Sequence, residues 1–281
     1  MKKRIITILM VPVVFAICFP VIFIVVNAFA SPEQLSERFG PVINPNMYPG
    51  YAVAAFLPDG VGTESYKELL LYQPGFFVLF WNSVKICFSV VLGQLIIAVP
   101  AAWGFAMYDF RGRRILFALY ILLMLMPFQV LMLSEYILFN KMGILDTLLT
   151  MILPGIFSTF PVFILYNFFR DIPDSVIEAA RLDGASELII FFSIGVPYGF
   201  SGIAAVMVLQ FIEYWNLVEQ PMIFIDSPDK MPLSLYLPSV NLDNICISFA
   251  AAVITMIPSY LVFRAGQDKL ESGIAASAVR R

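Results

Sequence analysis

The sequence predicts an all-α membrane protein with six transmembrane helices and both termini on the cytoplasmic side. Composition is the first reason: the chain of 281 residues is 60% hydrophobic and 13% charged, with a mean hydropathy of +0.87. Soluble domains average about 45–50% apolar and about 25% charged residues. In addition, six apolar segments are long enough to cross a bilayer, and most basic residues fall on one side of them.

The six spans follow from length, because about 20 helical residues cover the hydrocarbon core. They are predicted at 5–28, 76–107, 115–139, 148–169, 189–212 and 245–263. The second exceeds one straight crossing, so its first turns before Asn82 are expected at the interface. Internal prolines predict kinked helices around a translocation path, although proline is common in transmembrane helices generally. These prolines are Pro12, Pro20, Pro100, Pro127, Pro154, Pro161, Pro197 and Pro258.

Residues 1–30 are interpreted as a first transmembrane helix that is retained. A basic start followed by an apolar run is also typical of a secretory signal peptide. The run is longer than a usual signal-peptide core, which favours a span. Ala28 and Ala30 nevertheless resemble a cleavage site, so a cleaved signal remains the alternative.

The orientation is predicted from the basic residues. One set of loops and termini carries twelve: Lys2, Lys3, Arg4, Arg111, Arg113, Arg114, Arg170, Arg181, Arg264, Lys269, Arg280 and Arg281. The opposite loops carry four: Arg38, Lys67, Lys141 and Lys230. The larger set is expected in the cytoplasm. The basic turn at 109–114 is interpreted as a topology anchor near anionic lipid.

Residues 31–75 are predicted to be an external, proline-rich segment with short structured pieces. A docking surface for an external partner and a passive connector both fit it. Residues 76–281 then form the core of the protein, with a cytoplasmic loop at 171–187.

Several function classes are disfavoured by what the sequence lacks. It contains no histidine, and its net charge of −3 gives no field that would attract nucleic acid. Cys18, Cys87 and Cys246 lie in or beside apolar stretches and are interpreted as buried small hydrophobes. No cofactor or metal is expected, and no G-x-x-x-x-G-K-[ST] motif occurs, so any ATP must be hydrolysed by another chain.

The loop at 171–187 predicts a short cytoplasmic helix. Pro173 suits its start, with Asp171 or Ser175 as caps, and Ser175 with Glu178 fits a capping box. Gly184 is able to turn the chain at positive φ and allow a second helix toward Pro197.

One face of this predicted helix is made of small side chains. Helical spacing puts Val176, Ala179, Ala180 and Asp183 together, so another protein could approach the backbone closely. Glu178 and Arg181 could make charge-assisted contacts at the rim. The helix is therefore interpreted as a lever that a soluble partner moves, and a solvated loop helix is the alternative.

Polar residues within or near the spans are candidates for a substrate path, because such groups are costly in a membrane. The candidates are Asn82, Gln129, Gln210, Glu213, Tyr214, Trp215 and Asn216; Gln94, Glu135 and Asn167 are also polar and lie nearby. The run 213–216 combines an acid, an amide and two aromatic rings, which suits sugar binding. An interfacial aromatic belt with a solvated Glu213 explains it equally simply.

The loop resembles a known signature. Glu178-Ala179-Ala180, three residues, Gly184, nine residues and Ile194-Gly195-Val196-Pro197 are similar to the EAA pattern E-A-A-x3-G-x9-I-x-L-P of ABC importer permeases. Val196 replaces the usual leucine.

Other segments resemble the carbohydrate-uptake branch, and within it the smaller, maltose-type second permease. They are 81–83, 126–127, 168–173, 183–186, 215–216 with Pro221, and 267–273. The tail from Ala275 lacks the branch's usual ending, which puts its contacts with the ATPase in doubt.

The resemblance implies the type I permease fold in a bacterial inner membrane. It also implies a second homologous permease, two copies of a cytoplasmic ATPase and an external solute-binding protein as partners. The ATPase-coupling residues would be Glu178, Ala179, Ala180, Arg181, Asp183 and Gly184. A gradient-driven transporter and a membrane-embedded enzyme are the competing classes.

Overall fold

The computed structural model describes residues 2–43, 50–51, 60, 62–236 and 245–278. Within these ranges all regular secondary structure is helical, as predicted. Its α-helices are α1 (Lys2–Asn27), α2 (Pro32–Ile43), α3 (Glu64–Lys67), α4 (Pro74–Met107), α5 (Arg113–Met124), α6 (Phe128–Met142), α7 (Leu149–Ile156), α8 (Thr159–Arg170), α9 (Asp174–Leu182), α10 (Glu187–Ile190), α11 (Val196–Trp215), α12 (Glu219–Phe224) and α13 (Ile245–Ala278). Glu68–Tyr72 and Phe191–Gly195 form π-helical turns, and Pro228–Lys230 and Leu233–Leu235 form 3₁₀ turns.

Within the described ranges, five helical stretches are long and apolar enough to cross a membrane. They are Leu9–Asn27, Pro74–Met107, Leu149–Arg170, Glu187–Trp215 and Ile245–Leu270. Each coincides with one of the predicted spans, so five of those predictions agree with the helices found.

The predicted span at 115–139 is not one continuous helix. The helices α5 and α6 pass the same length and hydropathy test only as a pair, and they meet at an angle of 100°. Pro127 lies at the break with an extended backbone, at φ −67° and ψ 143°. Proline disfavours the α conformation in the residue before it and cannot donate a helix hydrogen bond. The kink predicted at Pro127 is therefore found as a full break, and the pair gives a sixth, broken span at most.

The first of two compact units combines Met1–Val78 with Tyr236–Pro258. In it, Leu35 of α2 is buried against Ala30 and the start of α13 at Ile245. Phe23, Phe39 and Phe249 form an aromatic cluster with ring centroids 5.9–6.1 Å apart. The last turns of α1 are thereby fixed to α2 and α13.

The proline-rich segment at 31–75 is partly helical. α2 runs to Ile43 with Pro41 inside it, whereas Pro45, Pro49 and Pro58 lie outside the described residues. The external position of the segment stays a prediction.

The second unit combines Leu79–Leu235 with Ser259–Arg281. Its core contains Trp103 of α4, whose ring meets Phe169 of α8 edge-on at 5.4 Å and Phe191 at 5.6 Å. This aromatic core lies directly beneath α9, because Ile177 of α9 is part of the same buried cluster.

Three glycines bring the neighbouring helices unusually close to the chain around α11. A Cβ atom on Gly195 would lie 2.6 Å from Trp103, on Gly199 2.5 Å from Phe169, and on Gly202 2.5 Å from Phe168. Small residues at helix interfaces allow such close packing in membranes. The aromatic rings of α4 and α8 therefore fill the space that side chains at these positions would occupy.

Candidate functional site

The helix α9 begins one residue before Ser175. Pro173 is the N-cap residue, with φ −63° and ψ 133° and no side-chain cap of its own. The capping box of Ser175 and Glu178 is therefore not formed, and that prediction was wrong. Proline instead fixes where the helix starts through its own restricted φ, and Asp174 in the first turn interacts favourably with the helix dipole.

The end of α9 follows the sequence prediction. Gly184 adopts φ +81°, in the left-handed region that favours glycine. Its N–H donates to the carbonyl of Arg181, and the N–H of Ala185 donates to the carbonyl of Ala180, both at 3.0 Å. These two bonds are those of a Schellman motif. No atom lies within 4 Å of where a Cβ on Gly184 would be, so the backbone conformation alone requires glycine.

The two sides of α9 differ sharply in exposure. Ile177 is buried in the core and Ala180 packs against it, so Ala180 turns inward and does not complete the small face predicted from the sequence. Val176, Ala179 and Asp183 are exposed, as expected for that face. Leu182 is 89% exposed. The open side of α9 therefore carries two exposed apolar side chains, Val176 and Leu182.

Arg181 forms an intramolecular contact that the sequence did not suggest. Its Nε lies 2.8 Å from Oε1 of Glu187 and its Nη2 lies 3.3 Å from Oε2. The hydroxyl of Tyr108, just beyond α4, donates to Glu187 Oε2 at 2.7 Å. Burial, followed by this hydrogen bond, raises the pKa of Tyr108. The three side chains join the end of α4, α9 and α10.

A second set of polar side chains lies in the interior of this unit. Gln94 Nε2 donates to the carbonyl of Gly155 at 2.8 Å and to Gln210 Oε1 at 2.7 Å. Gln210 Nε2 in turn donates to Glu213 Oε2 at 2.7 Å. Gln210 is 1% exposed, whereas Glu213 is exposed. This hydrogen-bonded chain therefore leads from a buried amide pair to an open carboxylate.

The two aromatic candidates at the end of α11, Tyr214 and Trp215, are buried. Trp215 is 1% exposed; its ring stacks on Phe211 at 5.6 Å and meets Phe80 edge-on at 5.7 Å. Tyr214 is also buried and packs against Gly155. Both rings support the surface that Glu213 and the exposed Asn216 present.

The remaining path candidates bond elsewhere. The buried Asn82 amide donates to the carbonyls of Asp229 and Met231, at 2.8 and 3.1 Å. Gln129 donates to Glu219 at 2.8 Å, and Asn216 donates to the carbonyl of Ile212 in its own helix. Of the predicted path set, Gln210 and Glu213 are brought into direct contact, while Asn82 and Gln129 have other partners.

Asp146 forms a polar cluster with Ser227 and Lys230 that the sequence did not predict. Its carboxylate accepts from the N–H and hydroxyl of Ser227, at 2.9 and 2.6 Å, and from Lys230 Nζ at 2.6 Å. The Lys230 contact, followed by the Ser227 hydroxyl, holds the pKa of Asp146 well below its usual value. The contacts span more than 80 positions of sequence, so no local pattern could reveal them.

Residues 94–276 match the protein family described as "Binding-protein-dependent transport system inner membrane component". This match covers well over half of the chain. The chain belongs to that family. It is a permease subunit, and in ABC importers of this kind the ATPase is a separate chain. Permeases of this family move solutes and are transport subunits, not enzymes.

Two curated relatives are permeases of sugar transport systems. The permease is 28% identical over 228 residues to the arabinooligosaccharides transport system permease protein AraQ of Halalkalibacterium halodurans, covering 80% of this chain and 82% of AraQ. It is 30% identical over 203 residues to the lactose transport system permease protein LacG of Rhizobium radiobacter, covering 71% of this chain and 74% of LacG. The resemblance to the carbohydrate-uptake branch is thereby confirmed.

A solved structure shares the fold of the permease. It is a chain of a bacterial ABC transporter involved in the import of the acidic polysaccharide alginate, with a TM-score of 0.81 and 21% sequence identity. The match covers 95% of both chains. The fold is therefore that of an ABC importer permease, as the EAA-like loop implied.

Among the described residues of the permease, no three metal-ligating side chains come together. The absence of a cofactor stays an expectation from the sequence.

Proposed function

We propose that this permease carries a sugar, oligosaccharide or related polyol into the cytoplasm by alternating access. It would do so in a bacterial inner membrane, with both termini in the cytoplasm. The relatives named for arabinooligosaccharides and lactose support the solute class. The bias of basic residues toward the loops at 109–114 and 170–181 supports the orientation.

The exposed side of α9 carries the coupling part of this proposal. Val176, Ala179 and Leu182 are open to solvent, while Ile177 anchors the helix in the core of the second unit. A helix anchored on one side and apolar on the other suits insertion into a groove of a soluble partner. That partner is one of two ATPase copies, and motion of the ATPase would be passed to the spans through α9.

The coupling residues then have distinct roles. Ala179 keeps the docking side small, and Glu178 and Asp183 supply polar groups at its edge. Ala180 does not face the partner; it packs against the buried core beneath α9 and helps to seat the helix. Arg181 fixes the angle of α9 through Glu187, and Gly184 sets the direction in which the chain leaves.

The solute path is proposed at the end of α11. Glu213 and Asn216 are exposed there, Gln210 orients the Glu213 carboxylate, and Tyr214 and Trp215 support them from within. Charged and amide groups of this kind hydrogen-bond sugar hydroxyls. Asn82 and Gln129 would shape the same path through the segments they bind. The path is shared with a second, homologous permease, and an external solute-binding protein delivers the solute.

The orientation is tested by placing a cysteine on α9. Cys87 and Cys246 are buried as predicted, but Cys18 is exposed, so it is first replaced by serine. The variant Cys18→Ser with Ser175→Cys then adds a thiol at an exposed position, and Cys18→Ser alone is the matched control. A membrane-impermeant maleimide is expected to label the variant in inside-out vesicles and not in right-side-out vesicles. Labelling from the outside would overturn the proposal.

The solute class is tested on the cognate solute-binding protein. A thermal-shift screen with sugars, amino acids and peptides is expected to show stabilisation by saccharides alone. Stabilisation by amino acids or peptides, with none by saccharides, would contradict the carbohydrate assignment.

A further inference from the structure

A basic cavity lies at the start of α5, away from α9 and the proposed solute path. Its volume is about 630 Å³. The lining residues include Arg113, Arg114 and Arg170, with Asp109 as the acidic member, and the rings of Phe110, Phe117 and Tyr166. The formal charge of this lining is therefore +2, from three arginines and one aspartate.

The three arginines are not equivalent. Arg113 is committed to the protein, because it pairs with Asp109 at 2.5 Å and donates to the carbonyls of Tyr108 and Ala106 at the end of α4. Arg170 lies over the ring of Tyr166, with Cζ 6.0 Å from the centroid. Arg114 is exposed and makes no ion pair within the described ranges. Two guanidinium groups are thus available to one cavity.

The position of Arg114 is electrostatically unfavourable without an anion. It is the second residue of α5, at the positive end of the helix dipole, and no acidic residue lies in that first turn. A phosphate held between Arg114 and Arg170 would relieve this, because guanidinium groups bind phosphate oxygens bidentately.

An apolar stripe starts at the same cavity. Ile115 lines the cavity and is 70% exposed, and Leu119, Leu122 and Leu123 follow it along α5 with 47%, 57% and 48% exposed. These positions share one face of the helix, at i, i+4, i+7 and i+8. A phosphate site that continues into an open apolar stripe matches a phospholipid, whose acyl chains would lie along α5.

We propose that this cavity binds the headgroup phosphate of an anionic phospholipid. The ligand is a lipid of the bilayer and not the transported solute. The inference rests on the proposed function only for placing this loop at the cytoplasmic leaflet, which the Ser175→Cys labelling measures separately.

The test uses the full transporter complex in phosphatidylcholine nanodiscs that contain photoactivatable phosphatidylglycerol. After irradiation, labelled peptides are identified by mass spectrometry. Labelling is expected at 113–123 and 166–170, and it should fall about five-fold in each of Arg114→Gln and Arg170→Gln. Arg111→Gln is the matched control, because Arg111 lies in the same turn but does not line the cavity; its labelling should equal that of wild type.

Other results would overturn the proposal. These are equal labelling by photoactivatable phosphatidylcholine, an equal loss in Arg111→Gln, or displacement of the lipid by inorganic phosphate. Loss of the ATPase or the second permease from the purified Arg114→Gln complex would assign the arginines to a protein contact instead. Arg114→Lys and Arg170→Lys guard against misfolding: they keep the charge but not the bidentate contact, and labelling is expected to lie between that of wild type and that of the glutamine variants.

Discussion

Two connecting segments of the second unit are held to different degrees. The segment at 217–235 is fixed through its backbone by side chains from other elements, namely Asp146, Asn82 and Ser83. The segment at 171–187 has one such backbone bond, from the Tyr198 hydroxyl to the carbonyl of Asp171 at 3.2 Å. It is otherwise held by the buried side chains of Ile172 and Ile177 and by the partly exposed pair of Arg181 and Glu187.

From this difference we infer that the first segment is a fixed frame and that the second is the part that moves. Side chains bonded to the backbone at several points prevent a segment from shifting alone, since each shift would leave polar groups unpaired. The helix α9 itself carries one buried residue, Ile177, and a partly exposed ion pair of small energetic value, so we expect it to shift more easily when a partner binds. The predictions below test this contrast.

The largest effect is expected at Gly184. Gly184→Val must place a β-branched side chain in the left-handed region, which costs about 1–2 kcal/mol or more for an L-residue. Uptake should fall roughly ten-fold or more, because the chain would leave the end of α9 in a different direction. The complex should still assemble with its ATPase. Gly184→Asn is the control, because asparagine tolerates positive φ; it should keep most uptake. Wild-type uptake in the valine variant would refute the role of α9.

The next effect concerns the docking side of α9. Ala179→Glu puts a charge where the partner is expected to approach closely, and burial of an unpaired charge should lower ATPase affinity about ten-fold. Ala179→Ser, which stays small, should bind as wild type does. Affinity is measured by co-purification and titration of the ATPase. Unchanged binding of the glutamate variant would show that this side of α9 is not the interface.

A fall in stability without a coupling defect is expected at the other segment. Asp146→Ala removes the acceptor for Ser227 and Lys230 and also places alanine at φ 55°. The apparent melting temperature should fall most for alanine and less for Asp146→Gly, because glycine adopts that φ freely. ATP-coupled uptake per folded transporter should stay unchanged. A specific loss of coupling would break the distinction between frame and moving part.

The smallest expected effect is a dependence of the melting temperature on pH. The lowered pKa of Asp146 means that its contribution to stability is present above its unfolded value, about 4, and is lost as the pH falls through the folded pKa. The melting temperature of wild type should therefore approach that of Asp146→Asn below about pH 4 and exceed it at pH 5–7. Parallel curves over the whole range would mean that Lys230 does not stabilise the segment through this carboxylate.

Local patterns predicted much of this structure. Hydropathy located the spans, and Pro173 and Gly184 gave the ends of α9, because each acts through its own backbone geometry. Pro127 predicted a kink, but not one as large as the 100° bend between α5 and α6.

The remaining contacts depend on residues far apart in the sequence. Gln94 meets Gln210 over 116 positions and Tyr108 meets Glu187 over 79. Such pairs depend on how the helices pack against each other, and local patterns in a single sequence do not give that packing. The inward turn of Ala180 was missed for the same reason, because helical spacing gives neighbours on a face but not the direction of the core.

The three glycines in and just before α11 have a mechanical consequence. Aromatic rings of α4 and α8 lie directly against the backbone at Gly195, Gly199 and Gly202. If α8 slid past α11, its phenylalanine rings would therefore clash with the backbone of α11. The helices α8 and α11, which flank α9, therefore resist sliding past each other. In the proposed coupling, a tilt of α9 would move α8 and α11 together as one rigid pair.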